Sequence, residues 1–331
     1  MPESRQKIIV FATSFLDSPV RNHPDAGRAR EILENAAAEY GLDVEYRCDR
    51  NPADPLEPSE LRDAVVVIAD LERYQRDLLE TVGSANGGTL RLIARYGIGY
   101  NNVDTTATGR NGVIVTNTPG ASAPPTAEWA VAMMMAVSGR CVLQHQRAAA
   151  GQKKSGASRL DLYGGTLGIV GTGTIGRRVV DLLSGYGMRV IAYDPYPDTD
   201  WAESRAVEYT DLDSLCETSD FISLHAAGAS RIIGEEQLQR MGDATVLVNC
   251  ARGPMVDNRA AWTAVKEGRL YGYALDEIWE DPDLSLEGLN VLVSPHVGSD
   301  TDHGKLKMQT MSAEAVAQFL AGETPANIVT A

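Results

Sequence analysis

The chain is short of several things, and each shortage excludes something. Only four cysteines occur in 331 residues, at 48, 141, 216 and 250, and none forms a Cys-x-x-Cys pair. A disulfide-stapled scaffold is therefore excluded, and the four read as reduced structural thiols. No His-Glu-x-x-His run or comparable ligand cluster appears, so no metal is expected. Positive charge is scarce: 30 Lys and Arg stand against 45 Asp and Glu, a net −15. That balance opposes non-specific binding to nucleic acid or anionic lipid, though not a small anion held in a local field. The longest purely apolar run, Trp129 to Val137, is nine residues, against the roughly 20 of a membrane span. The first residues lead straight into a strand-like run without a signal peptide's apolar stretch. A cytoplasmic protein is expected, with no membrane and no nucleic acid among its partners.

What is present fits an ordinary globular chain, 44% hydrophobic and 23% charged, of a length that predicts about two domains. Strand-like runs at 7–12, 44–46, 64–69, 90–94 and 113–116 alternate with helical stretches, the clearest over 26–40. A long helical segment is predicted from Thr126 to Ala150, followed by a polar, glycine-rich loop over 151–158. The alternation then restarts, with strand candidates at 166–170, 189–193, 221–224, 245–249, 271–275 and 291–293 and a last helix over 305–320. Strand–helix alternation of this kind predicts parallel βαβ units.

The clearest chemistry lies in Leu167-Gly168-Ile169-Val170-Gly171-Thr172-Gly173-Thr174-Ile175-Gly176. A β-branched strand precedes the glycines, an amphipathic helix follows, and the next strand ends at Asp194. Gly171 suits the tight turn, Gly173 the approach of a pyrophosphate, and Gly176 the packing of helix on strand; the amides of Thr174, Ile175 and Gly176 open the helix toward phosphate. Asp194 would accept the adenosine ribose hydroxyls and repel a 2′-phosphate, which favours NAD over NADP. The fingerprint falls near mid-chain, so a sizeable α/β domain precedes it.

Three further strand ends carry reactive side chains: Asn249-Cys250-Ala251-Arg252-Gly253, Asp276-Glu277-Ile278-Trp279-Glu280-Asp281-Pro282 and Ser294-Pro295-His296. Arg252 is suited to bidentate recognition of a carboxylate or carbonyl. His296 is suited to moving a proton near neutrality.

Together with Gly97-Ile98-Gly99, Asn117-Thr118-Pro119-Gly120 and Ala127-Glu128, these motifs make the chain resemble the D-isomer-specific 2-hydroxyacid dehydrogenases along nearly its whole length. The resemblance implies an α/β protein of two Rossmann-like, doubly wound parallel-sheet domains. A flavodoxin-like substrate domain (residues 1–118 plus 300–331) and an NAD-binding domain (residues 119–299) would enclose the active site in a cleft, and the protein would be a homodimer. It implies Arg252 and the Gly97, Ile98 and Gly99 loop as holders of a small anionic 2-hydroxy or 2-keto acid, and His296 as acid/base. The family's usual histidine partner is a glutamate five residues beyond the position of Asp276; here that place is Asp281, with Glu280 as the competing carboxylate. Asp276 would orient the nicotinamide carboxamide, and Thr126, His225, Cys250 and Ala251 would lie near the coenzyme. The chain departs from the family in reading His225-Ala226-Ala227-Gly228-Ala229 where His-x-Pro-Leu-Thr is usual, and in Thr126 after Pro124-Pro125. These departures bear on the substrate more than on the reaction. Alternatives left open are hydride oxidation of phosphite, formate or a phosphonate, and a non-catalytic NAD-sensing scaffold.

Overall fold

A computed structural model describes residues 5–12, 15, 23–153, 158–228, 230–279 and 281–329. The chain divides into two compact units, Met1–Ser122 with Asp300–Ala331, and Ala123–Ser299. Both units are α/β, with every strand pairing inside their sheets parallel.

The first unit carries β1 (Lys7–Val10), β2 (Asp43–Tyr46), β3 (Ala64–Ala69), β4 (Leu92–Arg95) and β5 (Ile114–Thr116) in the order β2-β1-β3-β4-β5. This is the flavodoxin-like winding. Strand alternation explains why both faces are covered. Ile8, Val10, Val66 and Ile68 pack with Leu33 of α1 (Arg28–Glu39) and Ala313 and Val316 of α11 (Asp302–Leu320). Ile9, Val67 and Ile93 point to the other face, onto Leu78 and Leu79 of α2 (Arg76–Val82) and Ala107 of α3 (Thr105–Arg110). The carboxy-terminal segment returns to this sheet, where Asn117 N–H donates to Asn327 O and Val329 N–H to Val115 O.

The second unit carries β6 (Thr166–Val170), β7 (Arg189–Tyr193), β8 (Val207–Tyr209), β9 (Phe221–Leu224), β10 (Val246–Asn249), β11 (Gly272–Leu275) and β12 (Val291–Val293). Their order is β12-β11-β10-β9-β6-β7-β8. The winding reverses between β6 and β9, the place where open parallel sheets bind ligands beyond their carboxyl ends. Leu167, Ile169, Val246, Val248 and Ala274 pack against Val179 and Val180 of α6 (Thr174–Leu183) and Met133 and Met134 of α4 (Ala123–Ser138). Ile222, Leu224, Leu247, Tyr273 and Leu275 fill the opposite face with Leu215 of α8 (Leu212–Thr218) and Ala261 and Ala264 of α10 (Asn258–Lys266).

One predicted element is corrected. The helix expected from Thr126 to Ala150 is two helices: α4 starts at Ala123, and α5 (Cys141–Ala149) follows a break at Gly139 and Arg140, where Arg140 takes a φ of 50°. Pro124 and Pro125 sit inside the first turn of α4, where the missing N–H groups have no carbonyl to bond.

Candidate active site

Dinucleotide loops work through backbone, so the first question is where side chains are forbidden. Gly171 has a φ of +95°, and a Cβ there would lie 2.5 Å from Ala226 N. A Cβ on Gly176 would lie 2.2 Å from Gly171 O, so the helix could not sit on the strand. Gly173 has nothing within 4 Å of its would-be Cβ, and no side chain caps the helix that starts after it. The amides of the first turn of α6 are thus left open beside a groove of about 450 Å³ lined by Gly173, Thr174, Arg177, Arg178 and, farther along the helix, Asp181. Free amides, the positive end of a helix and open space fit a pyrophosphate.

Asp194 stands at the end of β7. Its Oδ2 accepts from Thr172 N (2.7 Å) and Thr172 Oγ1 (3.1 Å), and its Oδ1 accepts from Tyr196 N (2.9 Å). The carboxylate is therefore held against the glycine loop with acceptor capacity to spare, which fits ribose hydroxyls.

The ends of three adjacent strands form the second half of the site. Beyond β10, Asn249 Nδ2 donates to Arg252 O (2.8 Å) and Asn249 Oδ1 accepts from Ala251 N (3.0 Å). This buried asparagine folds the Cys250–Arg252 turn and presents the half-buried Arg252. Beyond β11, Asp276 is buried and spends its carboxylate on the loop after β12. Its Oδ1 accepts from Ser294 Oγ (2.7 Å) and Val297 N (2.9 Å), and its Oδ2 from Gly298 N (2.8 Å). Trp129 Nε1 donates to Ser294 Oγ (3.2 Å). That framework holds His296 at a φ of +57°, a left-handed conformation unusual for a residue with a Cβ.

The histidine's partner corrects an expectation. His296 Nδ1 lies 3.2 Å from Glu277 Oε2, whereas Asp281 Oδ2 is 2.5 Å from Arg259 of α10. The loop after β11 carries Asp281 outward to that guanidinium, and Asp281 does not pair with His296. Glu280 lies outside the described residues. Glu277 follows Asp276 directly, but both lie in the bend beyond β11, where strand alternation no longer sets which way a side chain faces. The hydrogen bond from His296 holds the Glu277 carboxyl below its usual range, with the nearby Arg252 charge acting in the same direction against desolvation. Arg252, Glu277 and His296 are thus brought together on neighbouring strand ends.

His225 follows β9 with its backbone against Gly171. Its Nε2 meets Ser223 Oγ at 2.8 Å, its Nδ1 is buried without a partner among the described residues, and burial pushes its pKa down to about 3. Cys250 is buried near Met133, and desolvation raises its thiol pKa, so it is no nucleophile. Ala251 is buried, and Thr126 is buried in the first turn of α4 with its Cγ2 close to Gly298. In the first unit, Gly97 has a φ of +135°, and Ile98 is 40% exposed. Among the described residues no cluster of three or more His, Cys, Asp or Glu could hold a metal ion, and no helix is long and apolar enough to cross a membrane.

Residues 131–298 match the family model described as the NAD-binding domain of D-isomer-specific 2-hydroxyacid dehydrogenases. A glyoxylate reductase of Korarchaeum cryptofilum is 39% identical over 252 residues, covering 72% of this chain and 76% of the relative. A glyoxylate reductase of Thermococcus litoralis is 34% identical over 319 residues, covering 91% and 95%. Among solved structures, the apo D-lactate dehydrogenase of Escherichia coli superposes with a TM-score of 0.78 at 26% identity, over 98% of this chain and all of that one. The fold and the glycine loop define an NAD-dependent oxidoreductase. The chain belongs to the D-isomer-specific 2-hydroxyacid dehydrogenase family.

Proposed function

We propose that this enzyme interconverts a small D-2-hydroxy acid and its 2-keto acid, with glyoxylate-sized substrates as the first candidates. The observation that carries the reading is the grouping of Arg252, Glu277 and His296 on the ends of adjacent strands, in the sheet that bears the dinucleotide loop. The nicotinamide, when bound, supplies or accepts a hydride. Gly171, Gly173, Thr174, Ile175, Gly176 and Asp194 would hold the dinucleotide, and Thr126, His225, Cys250, Ala251 and Asp276 would line its nicotinamide end.

Arg252 holds the substrate carboxylate or carbonyl oxygen, and the amides of the Gly97–Gly99 loop bind the carboxylate. In reduction, protonated His296 donates its proton to the C2 oxygen as C2 gains the hydride. In oxidation the neutral imidazole takes the hydroxyl proton back. Glu277 takes the part expected of Asp281: it fixes the imidazole through Nδ1, leaving Nε2 for the substrate. His225 is unsuited to this work, because burial keeps it neutral through the working range.

The names of the relatives support a keto acid of two or three carbons. A panel of glyoxylate, hydroxypyruvate and pyruvate with NADH, run beside phosphite and formate with NAD, tests the assignment. Turnover confined to phosphite or formate, or wild-type rates from Arg252→Ala and His296→Ala, would remove it. We also place the enzyme in the cytoplasm, on its low cysteine content and the lack of any Cys-x-x-Cys pair in the sequence. We propose a homodimer, on the exposed Met135 and Val142 of α4 and α5; light scattering of the purified protein checks the mass.

A further inference from the structure

In the first unit the loop after β4 is held from behind by buried donors. The loop after β4 turns three successive carbonyls onto internal donors. Gly97 O accepts from Thr118 N–H (3.1 Å), Ile98 O from Asn117 Nδ2 (2.9 Å) and Gly99 O from Arg95 Nε (2.9 Å). Thr118, Asn117 and Arg95 are all buried, at 1%, 8% and 5% exposure. In a trans peptide the N–H points away from the carbonyl it is joined to. Fixing these carbonyls inward therefore turns the amides of Ile98, Gly99 and Tyr100 outward, and none of the three donates to the protein among the described residues.

The donors are themselves held. Arg95 Nη1 also donates to Ala69 O (2.8 Å) and to Asp70 O, so its guanidinium ties the ends of β3 and β4 together. Asn102 Nδ2 donates to Asp70 O (3.2 Å) and Glu72 O (2.6 Å), closing the neighbouring turn. Asn117 is fixed through its own N–H on Asn327 O (3.1 Å). Gly97 is required by conformation rather than space, because a Cβ would meet nothing nearer than Arg95 Nη2 at 3.5 Å while its φ is +135°.

We infer that Arg95, Asn117 and Thr118 are positioning residues that hold the Gly97–Gly99 carbonyls inward, so that three consecutive amides form a preset cradle for the substrate carboxylate. Successive outward amides make an anion-binding concavity without any charged side chain. The inference rests on the proposal that this loop binds the carboxylate. It deepens that proposal by locating its specificity in buried donors that never touch the substrate.

The test uses the whole chain with NADH and glyoxylate, and oxalate as a non-reacting carboxylate probe. Asn117→Leu keeps the size and deletes the donor, Arg95→Lys removes the guanidinium fork, and Gly97→Ala disturbs the loop directly. Losing one such hydrogen bond should raise KM for glyoxylate and Ki for oxalate about tenfold, with KM for NADH and kcat within about threefold. Gly97→Ala should show the same split. Should Asn117→Leu fail to fold, Asn117→Asp, which sets an acceptor against the Ile98 carbonyl, is read in the same way. If Gly97→Ala raises both constants while Asn117→Leu and Arg95→Lys leave them unchanged, the positioning inference is overturned and the loop reading stands. If all three leave them unchanged, the loop reading falls as well. A parallel loss of kcat and NADH affinity would mark a merely structural role and overturn the inference.

Discussion

Two histidines stand at strand ends of the same sheet and have been given opposite circumstances. His225, after β9, meets Ser223 through Nε2, keeps Nδ1 buried without a partner among the described residues, and is pushed down to about 3 by desolvation. His296, after β12, has a side chain 47% exposed, a carboxylate at Nδ1 and a left-handed backbone. The residue type is the same and the strands are parallel, so neither propensity nor topology separates them. Solvent access and the neighbouring charge do. On the proposed mechanism the ring that moves the proton is His296, while desolvation keeps the His225 ring neutral.

The strongest way to break this contrast is to remove each ring. His296→Ala should lower kcat about 10³-fold, within the range proton transfer by a side chain supplies. The corresponding change His225→Asn should leave kcat within about threefold, since the buried ring moves no proton. Steady-state NADH absorbance measures both, and equal losses would dissolve the distinction. A smaller effect tests the partner. Glu277→Gln should lower kcat about 10-fold or more, whereas Asp281→Asn, whose carboxylate is engaged by Arg259, should change it less than about twofold. The reverse order would restore Asp281 as the partner.

The smallest effect concerns pH and stability. The folded-state pKa of His225 is depressed below the ordinary value of 6.5. Between that value and about 3 the unfolded chain therefore binds a proton that the folded chain does not. Unfolding is favoured as pH falls through that window, and the contribution vanishes above it. His225→Asn should flatten the fall of Tm between pH 6.5 and pH 4. Glu277 acts in the same direction at lower pH: its depressed carboxyl pKa stabilises the fold above its unfolded value and loses that contribution as acid protonates it. An unchanged Tm slope in His225→Asn would show that the ring is not desolvated.

Much of this was legible beforehand, for identifiable reasons. The fingerprint is local in sequence, and its glycines sit where backbone must touch backbone, so pattern alone located Gly171, Gly176 and Asp194. Long apolar strands such as Ala64–Ala69 announce themselves. The three-residue β8 did not, because Val207, Glu208 and Tyr209 carry too little pattern to stand out. Pro124 and Pro125 misplaced a helix start because a first turn tolerates prolines that an interior would reject. Asp281 was misassigned because its neutralising partner, Arg259, comes from a helix 22 positions earlier and is invisible to spacing. Glu277 was within sight, one place beyond Asp276, yet it sits in a bend past the end of β11, where no periodicity says which carboxylate turns to the histidine.

The return of the carboxy-terminal segment to β5 has a practical side. Asn327 O receives the Asn117 N–H, so a chain trimmed short of position 327 would remove a support beneath the loop that carries Ile98. On the proposed reading of that loop, proteolytic nicking at that end should weaken affinity for small acids.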